Sequence, residues 1–251
     1  MVVEIEDILY SKLIGVGSEG IVYNYQGKAL KYLNNPTINK ETKIKMLKET
    51  KNNSIVKPID LIYDENEKFI GYTMEMIQKN NLNIKDKINN SNSLKEKIEI
   101  LKKQEEIMKT IHKDNMKIID FNYSNFIYNK NEIKLIDSDN FYVENFPNDN
   151  IPLNYYKYYC GKVSNSITND IDIMSNTLNM LWLITEDPFL KKELLIYNNN
   201  NYIEEYIKKL ILPKEAKSLL LEIVSDSVNK PYINNDLDVL MTEEKLIKKA
   251  R

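Results

Sequence analysis

The sequence predicts an α+β protein with two lobes: a small antiparallel sheet with one helix, followed by a mainly helical region. Three observations indicate this division. Up to residue 77, short apolar runs alternate with polar or glycine-containing turns, as in antiparallel strands. Residues 78–81 are polar and suit a linker. In residues 82–251, longer segments carry apolar side chains at helical spacing.

The first region, residues 1–77, is expected to hold five strands and one helix. Asn34-Asn35-Pro36 interrupts the strand pattern, and Thr37 or Asn39 can cap a helix that follows it. This helix is expected to end near Lys51, with Ile44 and Leu47 on one face. The strands are predicted at 8–15, 20–25, 28–33, 57–63 and 69–77.

The second region begins with a helix over 94–111, in which apolar residues from Ile98 to Ile111 recur with a helical period. Two short strands, at 126–128 and 133–136, flank a polar turn. A long irregular stretch follows to about Thr168, and loops of that length are often functional or mobile. An apolar helix is predicted at 171–184, and weaker helical patterns continue over 189–246.

Composition restricts the classes of function. The chain has 251 residues and a formal net charge of −2, which gives no electrostatic case for nucleic-acid binding. Its one cysteine, Cys160, excludes an intrachain disulfide framework and suits a reducing compartment. We find neither a signal-peptide layout nor an apolar run long enough to cross a membrane, so a cytoplasmic protein is expected. The oligomeric state cannot be predicted from these features.

An acid, an amide and a second acid form the most informative pattern. Asp120 is followed five residues later by Asn125, and Asp137 closes the apolar run that ends at Ile136. Phosphoryl transfer needs a carboxylate to orient the accepting hydroxyl, and an amide and another carboxylate to hold Mg²⁺ on the nucleotide phosphates. Asp and Asn are common in this chain, so the pattern gains weight only from the motifs that precede it.

Those motifs lie on the first three predicted strands. Gly15, Gly17, Gly20 and Val22 form a G-x-G-x-x-G-x-V pattern in which the backbone can approach phosphate oxygens closely. An ordinary hairpin also favours glycines, so the pattern alone is weak. Ala29-Leu30-Lys31 follows on the next strand; taken alone, Lys31 is better interpreted as a surface lysine, and its position after the glycine pattern is what favours a functional role.

Taken in order, these motifs resemble the eukaryotic-type protein kinase superfamily, over residues 8 to 189 and in a divergent form similar to bacterial or phage-type members. The resemblance implies a two-lobed fold with ATP and Mg²⁺ in the cleft. It makes Lys31 the anchor of the α- and β-phosphates and Asp120 the catalytic base. It makes Asn125 and Asp137 the metal ligands.

Further roles rest on the same resemblance. Lys31 should pair with a helix glutamate, and of the two available residues, Glu41 and Glu49, we favour Glu41. Met74 corresponds to the gatekeeper, and the backbone of Glu75, Met76 and Ile77 should meet adenine. Asp170 would begin the helix whose aspartate supports the catalytic loop, and Asp187-Pro188-Phe189 would end it. His112 is interpreted as structural, and Cys160 is given no catalytic role.

Four departures from the kinase pattern change what can be expected. Ile118-Ile119 replaces the His-Arg before the base, and Asn122 replaces the helper lysine. Asp137-Ser138-Asp139 stands in place of Asp-Phe-Gly, so Asp139 could be a second metal ligand or a loop residue in solvent. No clear Ala-Pro-Glu follows, and residues 155–159 are rich in tyrosine instead.

The leading hypothesis is an ATP- and Mg²⁺-dependent kinase that phosphorylates Ser or Thr hydroxyls of a protein substrate. A pseudokinase that binds nucleotide and acts as an interaction module is the first alternative, because the catalytic-loop arginine and lysine are missing. A small-molecule kinase of the aminoglycoside or choline type is the second alternative, although the well-formed glycine pattern argues against it.

Overall fold

The structure is a computed structural model that describes residues 1–77, 83–91, 93–129, 132–144, 146, 167–185, 201–210, 212–225 and 229–233. The predicted linker at 78–81, the tyrosine-rich residues 155–159, Cys160 and the Asp187-Pro188-Phe189 segment lie outside these ranges. Within them, the protein is α+β. A five-stranded antiparallel sheet precedes a part dominated by helices, which is compatible with a two-lobed arrangement.

The sheet contains strands β1 (Lys12–Val16), β2 (Gly20–Tyr25), β3 (Lys28–Leu33), β4 (Pro58–Tyr63) and β5 (Phe69–Met74). Their order across the sheet is β1-β2-β3-β5-β4, with antiparallel pairing throughout. The register places Val22 opposite Lys31 and Lys31 opposite Tyr72. Lys31 therefore lies near the middle of the sheet, with a paired strand on each side.

Helix α2 (Ile38–Glu49) covers one face of this sheet. Thr37 caps it: the threonine Oγ1 accepts a hydrogen bond of 3.1 Å from the Lys40 amide, which decides between the two caps predicted from sequence. Ile44 and Leu47 are fully buried in the core that the sheet shares with the helical part. Burial of an aliphatic side chain of this size contributes about 1.5–3 kcal/mol, which fixes the helix against the sheet.

The other face of the sheet is covered by the N-terminus, and here the prediction was wrong. Residues 8–15 were expected to form one strand, but Ile8 belongs to helix α1 (Ile5–Leu9) and the strand begins only at Lys12. Ile8 is fully buried with Val3, Leu30 and Ile62. Acidic residues in the first helical turn favour the helix through its dipole. A helix therefore covers this apolar face of the sheet, where the sequence had predicted a longer first strand.

The helical part holds four longer helices among the described residues: α4 (Leu94–Lys113), α5 (Asp170–Thr185), α6 (Asn201–Lys209) and α7 (Lys214–Val224). The periodicity had predicted α4 and α5 closely, and α6 and α7 lie within the weaker patterns. The short helix α3 (Ile84–Asn89) was not predicted. Strands β6 (Met116–Lys117), β7 (Phe126–Asn129), β8 (Glu132–Leu135) and β9 (Tyr142–Val143) complete it; β6 pairs with β9 and β7 with β8. No helix in the described part of the chain is long and apolar enough to cross a membrane.

Candidate active site

A cavity of about 470 Å³ lies between the sheet and the β7–β8 hairpin. Its volume is within the range of small-molecule sites, about 300–1,000 Å³. Of the site residues predicted from sequence, all but Glu41 and Asp139 line it. They are Gly15, Gly17, Gly20, Val22, Ala29, Lys31, Glu75, Met76, Ile77, Asp120, Asn125 and Asp137.

The glycine-containing turn connects β1 and β2 at the mouth of the cavity. The Gly17 amide donates to the Gly20 carbonyl over 2.9 Å, which closes the turn. A Cβ at Gly20 would lie 2.2 Å from the Tyr32 carbonyl oxygen, so the sheet itself requires glycine there. A Cβ at Gly15 would meet no atom of the described residues within 4 Å. The fold therefore does not require glycine at Gly15, where the open space would admit a ligand close to the backbone.

Lys31 reaches the cavity because the strand pleat places it on the same face of β3 as Ala29 and Leu33. Its Nζ lies 2.8 Å from Asp139 Oδ1 and 3.2 Å from Asp137 Oδ1. Burial alone would lower the pKa of Lys31, but these two carboxylates raise it above its ordinary value. The lysine is therefore held as a cation inside the protein.

Asn125 and Asp137 are brought together by the β7–β8 hairpin. Asn125 precedes β7, and Asp137 follows β8 by two residues. The Ile136 amide donates to the Asn125 carbonyl over 2.8 Å, which holds the two ends of the hairpin together. Asp137 has a left-handed backbone, with φ 57° and ψ 37°. Its side chain is about one-third exposed, at 34%, and lines the cavity.

The segment that carries Asp120 is supported by Asp172 of α5, not by Asp170 as predicted. The fully buried Asp172 carboxylate accepts hydrogen bonds of 2.7 Å from the amides of both Ile118 and Ile119. His112 Nε2 lies 2.9 Å from the same carboxylate, so the histidine has the structural role that was expected of it. Asp170 instead accepts the amide hydrogens of residues 229 and 230. The prediction chose Asp170 because it begins the helix, but Asp172, two residues later, makes the contact.

A buried polar stripe on α5 continues this support. Asn179 donates to the Phe121 carbonyl oxygen over 3.1 Å, on the far side of Asp120. Ile119 has φ 63°, an unfavourable value for a β-branched residue. The strain is maintained because the Asp172 carboxylate fixes the amides of Ile118 and Ile119, while the Asp120 amide donates to the Ile118 carbonyl oxygen over 2.7 Å and closes the turn across Ile119. Asp120 itself is exposed and lines the cavity.

The helix glutamate predicted as the partner of Lys31 does not pair with it. Glu41 accepts hydrogen bonds from Lys45 at 2.6 Å and from the Tyr63 hydroxyl at 2.8 Å, and Glu49 is exposed. Glu49 lies on the side of α2 opposite to Ile44 and Leu47, and Glu41 is occupied by Lys45 and Tyr63. The carboxylate beside Lys31, apart from Asp137, is Asp139.

Asp139 is neither a solvent-exposed loop residue nor a wall of the cavity. It is fully buried, and its Oδ1 accepts from Lys31 and, at 3.0 Å, from the Tyr72 hydroxyl. Burial alone would raise the pKa of Asp139, but Lys31 and then Lys40 lower it below its ordinary value. Burial raises the pKa of Tyr72 well above its usual range, so this hydroxyl stays protonated and donates to Asp139.

Two lysines on the inner face of α2 were missed. Lys40 and Lys43 are buried in phase with Ile44 and Leu47. Lys40 Nζ lies 2.7 Å from Glu19 of the glycine-containing turn and 3.5 Å from Asp139 Oδ2. Lys43 donates to the Phe141 carbonyl oxygen over 3.1 Å. Lys40, Lys43, Ile44 and Leu47 stand at positions i, i+3, i+4 and i+7, which is the spacing of one helix face. The sequence therefore contained this pattern, but lysines are rarely assigned to a core face.

The segment after β5 forms the remaining wall. β5 ends at Met74, so the predicted strand over 69–77 is three residues too long; Glu75, Met76 and Ile77 line the cavity without belonging to a strand. Met74 also lines the cavity, beside the apolar side chains of Val56 and Ile136, which sequence reasoning did not include.

The oxygen atoms near Asp137 suit a hard divalent cation. Within the described residues, no group of three or more His, Cys, Asp or Glu side chains is arranged to hold a metal alone. Asn125 and Asp137 nevertheless offer an amide and a carboxylate oxygen. Asn140 also lines the cavity, with a buried side-chain oxygen that accepts no hydrogen bond from the part of the chain that the structure describes. Mg²⁺ usually takes one or two carboxylates and completes its coordination with phosphate and water, so this donor set fits it.

No protein-family model matches the chain, and the curated proteins include no significant match.

Proposed function

We propose that this chain is an ATP- and Mg²⁺-dependent phosphotransferase with a two-lobed, protein kinase-like fold, and that its acceptor is a Ser or Thr hydroxyl of a protein. One observation carries the proposal: Lys31, Asp120, Asn125 and Asp137 line a single cavity together with the glycine-containing turn. Lys31 and Asp137 are 106 positions apart in the chain, so their contact does not follow from local sequence.

The cavity wall suits a nucleotide. The apolar side chains of Val22, Ala29 and Ile136 can cover the faces of a purine ring. The backbone of Glu75 to Ile77, which lines the cavity beyond the end of β5, can bind its edge. The triphosphate would then extend towards Lys31 and the open space at Gly15, where a cation and backbone amides are available.

The residues also suit the chemistry of transfer. In the proposed reaction the Asp120 carboxylate accepts the proton of the acceptor hydroxyl. The hydroxyl oxygen then bonds to the γ-phosphorus, the bond to the β–γ bridging oxygen breaks, and ADP leaves. Lys31 donates hydrogen bonds to the phosphate oxygens, and Asn125 and Asp137 would hold Mg²⁺. The metal, when bound, neutralises charge on the phosphates.

The exposure of Asp120 favours a large acceptor. Its side chain lies at the open side of the cavity, supported from behind by α5 through Asp172 and Asn179. A hydroxyl on a protein segment can reach such a carboxylate without entering the cavity. A small molecule with a hydroxyl group is the alternative acceptor, to be tested in the same assay as a protein acceptor.

Transfer of radiolabelled γ-phosphate from ATP tests the proposal. A generic protein acceptor and a panel of small hydroxyl compounds should be assayed with the wild type, Asp120→Ala and Asp137→Ala, in the presence and absence of Mg²⁺. We expect Mg²⁺-dependent labelling of protein by the wild type and a loss of at least about 100-fold in each variant. Labelling that is unchanged in Asp120→Ala would refute the assignment of the base.

A nucleotide-binding protein without transfer activity is the second candidate, and one observation favours it. Lys31 is the only lysine or arginine that lines the cavity within the described residues. Asn122, in place of a helper lysine, uses its side-chain oxygen to accept from the Ser124 amide over 2.9 Å. A thermal shift with ATP and Mg²⁺, without any labelling above the Asp137→Ala control, would support this candidate.

A further inference from the structure

Four charged side chains connect four segments of the site in a continuous row. Lys31 of β3 contacts Asp139 at 2.8 Å, Asp139 contacts Lys40 of α2 at 3.5 Å, and Lys40 contacts Glu19 of the glycine-containing turn at 2.7 Å. The side chains of Lys31, Asp139 and Lys40 are exposed by 5%, 0% and 2%, and that of Glu19 by 13%. We call these residues the ion row.

Burial makes the ion pairs of the ion row important for stability. Exposed ion pairs contribute little because water screens them, whereas removing one member of a buried pair leaves an uncompensated charge. Lys40 has two carboxylates within 4 Å, one on each side. Its Nζ is therefore the only cation in the ion row that contacts both the turn and the Asp137–Asn140 segment.

We propose that Lys40 is a positioning residue: it holds the glycine-containing turn through Glu19 and the loop of Asp137 through Asp139, and so fixes Lys31 for phosphate binding. Asp139 acts in this arrangement as the counter-ion of Lys31 and not as a metal ligand. The inference rests on the proposed function in one respect, because it assumes that the cavity takes a nucleotide.

The rest of α2 agrees with this role. Lys43, one turn further along the helix, donates to the Phe141 carbonyl oxygen and ties the same loop to the helix. Glu41, by contrast, points to Lys45 and Tyr63 on the other side of the helix. The helix thus contributes cations to the site, and the acid that pairs with Lys31 comes from the loop.

Hydrogen exchange measured by mass spectrometry on the full chain tests the positional part without any nucleotide. Lys40→Met removes the charge and keeps an unbranched apolar chain, and Lys45→Met is the matched control, an exposed lysine on the same helix. We expect Lys40→Met to raise exchange about tenfold in peptides covering both 15–20 and 137–141, and Lys45→Met to change neither. Glu19→Gln should raise exchange in 15–20 alone, because Asp139 keeps its two lysines. Unchanged exchange in both peptides of Lys40→Met would overturn the proposal.

The affinities for ATP with Mg²⁺ and for adenosine, both measured by calorimetry, test whether Lys40 affects phosphate binding. Lys40→Met should weaken ATP binding about tenfold and leave adenosine binding unchanged, since only the triphosphate meets Lys31 and the turn. Equal weakening of both ligands, or of neither, would overturn the positioning role. If the wild type binds neither ligand, the proposed function fails, while the exchange result still decides whether Lys40 connects the two segments.

Discussion

Replacement of Asp172 by asparagine tests how the Asp120 segment is held. The Asp172 carboxylate accepts two backbone amides at 2.7 Å and is fully buried. Asparagine has nearly the same shape, but only one of its two terminal groups can accept a hydrogen bond. Asp172→Asn therefore leaves either Ile118 or Ile119 with an amide facing an NH₂ group.

The magnitude follows from these contacts. A hydrogen bond to a charged group contributes about 1.5–3 kcal/mol, and the remaining bond falls to a neutral one that is weaker by about 1 kcal/mol. Ile119, whose φ is 63°, can then relax, which returns about 1 kcal/mol of backbone strain. The expected loss in free energy of unfolding is about 1.5–3 kcal/mol, a large share of the roughly 5–15 kcal/mol that stabilises a typical domain.

Urea denaturation measures this loss. Trp182, the only tryptophan, lies on α5 together with Asp172, so its fluorescence reports the element concerned. Asp170→Asn is the comparison, because Asp170 also accepts two amides but holds residues 229 and 230 instead of the Asp120 segment. We expect only Asp172→Asn to lower phosphate transfer as well as stability. A loss of less than about 1 kcal/mol in Asp172→Asn would refute this account of the loop.

Three further predictions concern the sheet and Asp139. Gly71→Ala should destabilise the protein by about 3 kcal/mol, because the new Cβ would lie 2.2 Å from the Lys31 carbonyl oxygen. The control Gly15→Ala, with open space around its Cβ, should change stability by less than about 0.5 kcal/mol; equal effects in urea denaturation would contradict the steric argument. Tyr72→Phe removes a donor to Asp139 and should cost about 1–2 kcal/mol, and a neutral result would show that this hydroxyl contributes nothing. Because the folded pKa of Asp139 is lowered, its contribution is present above the ordinary carboxyl value of 3.8 and is lost as pH falls through the folded pKa. The difference in unfolding free energy between wild type and Asp139→Asn should therefore be constant near neutral pH and shrink in acid, and a difference that grows in acid would be inconsistent with it.

The sequence predicted what depends on neighbours along the chain. Strands β2, β3 and β4, helix α2 and helix α4 follow from short apolar runs, a capping threonine and helical periodicity, and each agrees with the structure within a few residues. The proximity of Asn125 and Asp137 also depends on local sequence alone, because a tight hairpin joins them. The end of β5 was placed three residues too late, since nothing in the apolar pattern marks where pairing stops.

The partners of individual charges could not be predicted, because they depend on packing between distant segments. Glu41 and Lys40 are adjacent in the chain, yet helix phase turns the lysine into the core and the glutamate towards Tyr63. Asp170 and Asp172 are two positions apart on α5, and only packing against the Asp120 segment decides which of them meets the Ile118 and Ile119 amides. The first helix, Ile5–Leu9, was missed for a similar reason. An apolar residue such as Ile8 fits a strand or a helix equally well, and only its packing against the sheet decides between them.

The sequence by itself therefore determined which residue types are present and in what order: a glycine turn, a strand lysine, and an acid, an amide and an acid. Only the tertiary structure decided that Lys31 pairs with Asp137 and Asp139 and that α2 brings lysines to the site. The physical reason is that the burial of a charge, and the counter-ion it then requires, are set by side chains that lie together in space and up to 108 positions apart in the chain.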